Sequence, residues 1–501
     1  MLDKIKYTFK HTAIYSLGNL GAKVMGLILL PLYTSYLTTA EYGKLALLEI
    51  TSQFAVAVIG LNLASGMMRW AAQEKDGAKY KTIIFTTYVS VFLLIVAFNF
   101  IVFPFSRNFS ELFFDHQDFY QYFQILWFWT SFEILNQVTT NLIRIRDKSM
   151  LFITLFLSKL LIILVLNIYF IVSLGMGVKG IIMSQLIGNA LYFLATLPFI
   201  LKNINFKFNF KIQKEITKYS FPLVFSTISM MILTMSDRYM IKFLLDSDSE
   251  VGIYTLGYKI ASVINLFLIQ SFQMGFVPIA YKMFDKEGAQ RYFSKLTTYF
   301  AFFLILFALF ITLFSKEVII IFSPSNKDFW IAYAIVPLIA FIFFLRGMNL
   351  MVSLGLHYVK KTKYNARIVM TAALFNVGLN FMLVPAMGIY GAALSTMIST
   401  ALMLGLFYIF SQKFYPINYE KTRLLKILLT GAGLVALSML TDDMNIWLAA
   451  VIKFILLILF PIILFGMKFF EPIEIERIKG AWAKWKNPAR WNKNMKDVKF
   501  K

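Results

Sequence analysis

A chain of 501 residues that is 59% hydrophobic, 17% aromatic and only 15% charged is too apolar for an ordinary soluble enzyme. Its net charge of +23 would suit nucleic acid, but ten of the 49 basic residues sit in the C-terminal tail and most others in short gaps between apolar stretches. Anionic lipid headgroups are the better partner, and no nucleic acid is expected.

Apolar stretches of spanning length fall near 12–38, 45–68, 82–104, 119–143, 151–173, 179–201, 217–245, 252–279, 297–315, 329–355, 367–384, 389–411, 425–441 and 446–467, here segments 1 to 14. Lys4, Lys6 and Lys10 precede a full-length apolar run with no small-residue cleavage pattern, so segment 1 is expected to remain as an anchor. Counting each gap with its immediate flanks, the N-terminus, every second gap and the tail hold 37 Lys and Arg, against five in the other gaps. That alternation predicts an even number of spans with both termini cytoplasmic. The opposite gaps carry Glu111, Asp115, Asp118, Asp246, Asp248, Glu250, Asp442 and Asp443.

No gap exceeds roughly fifteen residues, too little for a soluble catalytic domain. After Phe470, Ile475, Ile478, Trp482 and Trp485 recur at helical spacing among Arg477, Lys479, Lys484 and Lys486, which predicts a basic amphipathic helix on anionic lipid, ended at Asn487-Pro488. Cysteine is absent, which removes disulfides, thiolate metal sites and cysteine nucleophiles. His11, His116 and His357 lie near segment ends without metal-ligand spacing, so neither metal nor cofactor is expected.

Two echoes divide the chain. Met176-Gly177-Val178-Lys179-Gly180 returns 211 residues later as Met387-Gly388-Ile389-Tyr390-Gly391, while Tyr15-Ser16 and Glu41-Tyr42-Gly43 return as Tyr219-Ser220 and Glu250-Val251-Gly252. Turn glycines are common between spans, but the order and placement of both echoes agree. Six segments separate the copies, so the halves share one orientation about an axis along the membrane normal. The expected organisation is an N-terminal lobe over 1–210, a C-terminal lobe over 211–415, two added segments over 416–470 and the tail over 471–501.

Tyr42-Gly43, Asp237-Arg238, Asn376, Asn380, Pro385, Gly388 and Gly391-Ala392-Ala393 resemble the polysaccharide-transporter branch of the multidrug/oligosaccharidyl-lipid/polysaccharide exporter superfamily, which includes O-antigen and capsule-repeat flippases. The resemblance runs along essentially the whole chain. It implies an all-α integral membrane protein of about 14 transmembrane helices, two six-helix lobes in a V plus two C-terminal helices, in the bacterial cytoplasmic membrane. The implied activity is translocation of undecaprenyl-diphosphate-linked oligosaccharide between leaflets for surface polysaccharide synthesis, alongside other polysaccharide-assembly proteins.

A charge at the bilayer centre costs roughly 2.5–3.5 kcal/mol and asks for a partner or a cavity. Lys23 lies about eleven residues into segment 1, roughly 16 Å along the helix, and shares a face with Ser16 and Asn19. Arg346, Asn349 and Ser353 repeat that spacing in segment 10. Segment 4 aligns Glu133, Asn136 or Gln137, and Asn141; segment 8 aligns Lys259, Ser262, Gln270 and Gln273. These faces are expected to line water, with Lys23, Arg346, Arg238 and Lys259 as counter-charges for a diphosphate and Asn19, Asn136, Asn349, Gln270 and Gln273 as partners for sugar hydroxyls. The competing account is hydrogen bonding between helices, with Glu133 neutralising Lys23 or Lys159. Lys159, Lys242 and Lys453 rank lower because they can snorkel.

Without a Gly-rich phosphate-binding motif the chain is not expected to be an ATPase. Proton or sodium coupling through Asp237, Glu49 or Glu133 stays open. A cation-coupled multidrug exporter of the same superfamily is the runner-up, and a membrane-embedded polymerase or glycosyltransferase the more distant rival. An enzyme is not expected.

Overall fold

The structure, a computed structural model, describes residue 21 and residues 24–359, 361–441 and 444–476. Ser16, Asn19, Lys23 and the tail residues Ile478, Trp482 and Trp485 lie outside the described residues. All regular structure among the described residues is helical, and eleven helices are long and apolar enough to cross a membrane.

Three differences explain the distance from fourteen. Segment 1 is described from Val24 onward, as the shorter apolar helix Val24–Tyr36. Segment 4 forms the 26-residue helix Tyr120–Ile145, whose polar stripe lowers its hydropathy. Segments 11 and 12 join in one helical run, Thr362–Phe414, interrupted at Gly388 by φ 57 and ψ −137. A Cβ on Gly391 would overlap the Leu383 carbonyl oxygen. Residues eight apart on a straight helix are separated by about 12 Å, so the chain turns back between these two positions.

By internal contacts the chain divides into two compact units: Met1–Tyr281 with Ser315–Pro416, and Lys282–Phe314 with Ile417–Lys501. In the first, the helices Thr39–Gly60 and Asp248–Ala261 carry equivalent residues of the repeat. Thr38 caps one, its side chain accepting from the Glu41 N–H while Glu41 accepts from the Thr38 N–H; Ser247 caps the other, accepting from the Glu250 N–H. The two helices then cross backbone to backbone. A Cβ on Gly43 would overlap the Asp248 carbonyl oxygen, and one on Gly252 would overlap that of Thr39. The contact is reciprocal, as a local two-fold requires.

The second echo meets the first. Glu41 Oε1 lies 3.6 Å from where Gly177 would carry a Cβ, and Glu250 Oε2 lies 3.4 Å from the same point on Gly388. Both glycines take positive φ, 52° and 57°, at the start of a helix, where a carboxylate complements the exposed N–H groups.

Lys242 joins two of the gaps that hold few basic residues, and Lys44 adds a third through Asp248. Lys242 is buried and contacts Asp115 at 2.7 Å, Asp246 at 3.0 Å and Asp248 at 3.6 Å, while Lys44 reaches Asp248 at 3.9 Å. It does not snorkel to a surface, because three carboxylates satisfy it in place.

In the second unit Phe302 packs on Phe460 and Phe469 at 5.5 and 5.9 Å. Basic-side gaps meet at its polar end, where Lys295 contacts Glu471 at 2.6 Å and Arg423 contacts Glu474 at 2.9 Å and Glu420 at 3.0 Å. Partial burial pushes the Glu474 carboxyl up, but the Tyr299 hydroxyl, the Glu471 N–H and Arg423 hold it at about 2.

Candidate functional site

A chamber of about 560 Å³ opens among the helices of the first unit. Its polar wall is built one helical turn at a time: Glu49 and Gln53 from Thr39–Gly60, Glu133 and Gln137 from Tyr120–Ile145, Lys159 from Ser149–Ile168 and Gln185 from Gly177–Lys202. The second half of the sequence supplies Thr227 and Lys259. Lys259 Nζ stands 5.3 Å from the ring centre of Tyr42 and 5.9 Å from that of Tyr33, so its charge faces two aromatic walls.

Asn62 also lines this chamber, and it gets there by a break in the helix. Leu61 and Asn62 both take left-handed φ, 47° and 51°, between the helices Thr39–Gly60 and Leu63–Gln73. Consecutive non-glycine residues in that region are uncommon and strained, and such strain collects at functional sites. Here it turns the Asn62 amide to donate to Thr227 Oγ1 at 3.2 Å. Segment 2 reads as continuous in the sequence, so nothing in its hydropathy marks this residue.

A second cavity, of about 320 Å³, shares Asn62, Glu133, Gln137 and Lys159 with the first and runs on to Asn136, Arg144 and Tyr192. Lys159 belongs to both walls, although its capacity to snorkel ranks it below the other cations in the sequence. Its Nζ donates to Asn189 Oδ1 at 3.1 Å and lies 4.0 Å from Glu133 Oε2, which is the neutralising pair that competes with a purely water-facing Glu133. Asn136 is buried and donates to the backbone and side-chain oxygens of Asn189 at 3.0 and 3.1 Å. Arg144 extends the stripe of Glu133, Gln137 and Asn141 by one more helical step, a periodicity present in the sequence.

Other expected residues form an interior network in the second half. Asp237 is fully buried; the Thr396 hydroxyl lies 2.9 Å from each of its oxygens, Tyr254 donates to Oδ2, and the Asn380 amide lies 3.4 Å from Oδ1. Asn376 donates to Thr396 Oγ1 at 3.0 Å and accepts from Ser236 at 3.3 Å. Arg238 turns away from its neighbour, donating to the Thr234 carbonyl at 3.1 Å and lying 4.0 Å from the Tyr258 ring centre. Arg346 donates to the Tyr258 hydroxyl at 2.6 Å, and Asn349 is buried against the Thr400 carbonyl at 3.4 Å. Gln270 ends a π-helical turn, Asn265–Gln270, and Gln273 follows it, exposed. The chamber wall therefore unites Glu49, Glu133 and Lys259, the adjoining cavity takes Asn136, and Asp237, Arg238, Arg346 and Asn349 sit in the helical interior.

No Lys or Arg among the described residues forms an ion pair with Asp237. Hydroxyl and amide groups satisfy this buried carboxylate instead. Among the described residues no cluster of three His, Cys, Asp or Glu offers a site for a multivalent metal.

The polysaccharide biosynthesis protein family model matches residues 8–284, more than half of the chain, and the chain belongs to that family. No curated protein sequence matches. Among solved structures, the fold is similar to the lipid II flippase MurJ in an inward closed conformation, with TM-score 0.73 and 17% identity over 91% of this chain and 100% of that one. It is also similar to a multidrug resistance MATE family transporter of the MOP superfamily: the inward-facing form gives TM-score 0.64 and 15% identity over 79% of this chain and 94% of that one, and the outward-facing form 0.57 and 16% over 80% and 92%. The all-helical, multi-pass membrane fold expected from the sequence is the fold these structures share.

Proposed function

We propose that the chain moves an undecaprenyl-diphosphate-linked oligosaccharide from the inner to the outer leaflet of a bacterial cytoplasmic membrane, with both termini cytoplasmic. One observation carries this reading: a chamber walled by membrane helices that presents Lys259 and Lys159 together with Gln53, Gln137 and Gln185. A diphosphate needs cations to leave water, sugar hydroxyls need amides, and a polyprenyl chain needs neither because it can stay in the lipid. Moving negative charge out of a negative-inside cell releases about 2.3 kcal/mol per charge per 100 mV. The Asp237 cluster adds a place for a coupling proton or sodium ion, with Asn376, Asn380 and Thr396 as its oxygen and amide partners.

The reciprocal crossing at Gly43 and Gly252 supports alternating access, because it closes one end of the first unit with contacts small enough to part. It joins gaps of the acidic side, so the chamber in this state is read as open toward the cytoplasm.

The carboxylates Glu49 and Glu133 in the chamber keep a cation-coupled multidrug exporter as the second reading, since they would attract cationic drugs. Deleting the gene and extracting lipid-linked oligosaccharide from each leaflet separates the two. Accumulation at the inner leaflet supports the flippase; normal surface polymer with altered drug tolerance supports the exporter.

A further inference from the structure

Resting on the flippase reading, we infer that Glu49 selects a sugar bearing a free ammonium group next to the diphosphate, so that the chamber takes a substrate with charges of both signs. Four charged residues line the chamber, Glu49, Glu133, Lys159 and Lys259, and their charges sum to zero. Glu133 and Lys159 face each other at 4.0 Å. Among the described residues Glu49 and Lys259 form no ion pair, and the Glu49 carboxylate accepts no hydrogen bond. Its helix neighbours are engaged elsewhere, Thr51 with the Tyr239 hydroxyl at 2.9 Å and Ser52 with the Thr130 hydroxyl at 2.8 Å. A carboxylate at membrane depth needs a partner, and here the chamber is where that partner enters.

The placement of the two residues sharpens the assignment. Glu49 lies six residues beyond Gly43 and Lys259 seven beyond Gly252, which puts them about 9 and 10 Å along their helices from the crossing. They share a depth on two helices, one from each half of the chain. A diphosphate held by Lys259 therefore brings negative charge to the level of Glu49, which weakens binding unless the same substrate supplies a cation. An inorganic cation at Glu49 meets the opposite difficulty, because it leaves Lys259 uncompensated. The shared depth assigns the ammonium to the sugar attached directly to the diphosphate rather than to one further along. In the register that pairs Gly43 with Gly252, Glu49 corresponds to Tyr258, whose hydroxyl accepts from Arg346 at 2.6 Å, so the helix pair does not require an acid at this position. Gln53, one turn beyond Glu49, is exposed on the chamber wall; its carbonyl oxygen can accept from the same ammonium while its amide donates to a ring hydroxyl.

The test uses the full-length protein in lipid nanodiscs and two probes, an undecaprenyl-diphosphate-linked 2-acetamido-4-amino sugar and its 4-hydroxyl counterpart, at a mildly acidic pH that keeps the amine charged. The wild-type chain is expected to bind the amino probe about tenfold more tightly, the scale of one added charged hydrogen bond. Glu49→Gln should bring that ratio close to one, whereas a general change in chamber charge or folding would move both affinities together and preserve the ratio. Glu49→Asp, which keeps the charge on a shorter side chain, should retain part of the preference. Equal wild-type affinity for the two probes overturns the inference and leaves the flippase reading standing, and a preference that survives Glu49→Gln overturns the role of Glu49. Failure to bind either probe overturns the flippase reading, and the inference with it.

Discussion

Thr39 Oγ1 and Ser249 Oγ lie 2.7 Å apart, at the point where two helices with echoing sequences cross through Gly43 and Gly252. Because the chain contains no cysteine, the double variant Thr39→Cys/Ser249→Cys carries a single pair of thiols at a distance suited to oxidation. Under a mild oxidant it should form an intramolecular disulfide and lose transport, and reductant should restore it. A cross-linked protein that transports at the normal rate would show that this crossing never opens.

Adding one methyl group at the same crossing should have the opposite effect. Gly43→Ala or Gly252→Ala places a Cβ against a backbone carbonyl oxygen that has no side chain to rotate away, an overlap worth about 1–3 kcal/mol. Thiol labelling of a Ser249→Cys background should then become faster, as the helices part more often. Unchanged labelling at normal expression would argue that the backbone yields instead.

Lys259 and Lys242 separate binding from stability. Lys259→Ala should weaken binding of lipid-linked oligosaccharide about tenfold or more with little change in melting temperature, because the lysine faces a chamber. Lys242→Ala strands Asp115, Asp246 and Asp248 and should cost about 1–3 kcal/mol of stability; the exposure of Asp115 and Asp246 keeps it below the figure for a fully buried pair. Thermal melts in detergent and binding to nanodiscs read the two effects independently, and a reversal of the pattern would reassign both residues.

Asp237→Asn keeps the size of the buried side chain and the acceptor for Thr396 and Tyr254 while removing its charge. If the carboxylate carries the coupling ion, transport by proteoliposomes should lose its response to an imposed proton or sodium gradient while substrate binding persists. An intact response to both gradients would exclude Asp237 from coupling.

Glu474 provides a pH test outside the membrane spans. Its carboxyl is held at about 2, below the ordinary unfolded value of about 4.3, so its contribution to stability is complete above that unfolded value and disappears as pH falls through about 2. Glu474→Gln should lower stability by about 1 kcal/mol at pH 7 and flatten the dependence between those limits. Melting temperatures of the two proteins that differ equally at pH 7 and pH 2 would count against the ionic contact.

What the sequence determined by itself was everything set by local composition. Span positions follow from the hydropathy of about twenty consecutive residues, and the repeat was legible because Gly43, Gly252, Gly177 and Gly388 occupy backbone positions that a side chain would block or strain. Even the turn between segments 11 and 12 was marked by Pro385 and Gly388, although the helical run continues through it.

The tertiary structure decided which polar faces share a chamber. A helix periodicity shows that Glu133, Gln137 and Asn141 share a side, or that Arg346 and Asn349 do, but not whether that side meets a cavity or a neighbouring helix; that depends on rotation about the helix axis, set by packing along both its flanks. Lys159 thus enters two cavity walls while Arg346 reaches Tyr258, and Asn62 joins the chamber through a left-handed break that only its surroundings can hold.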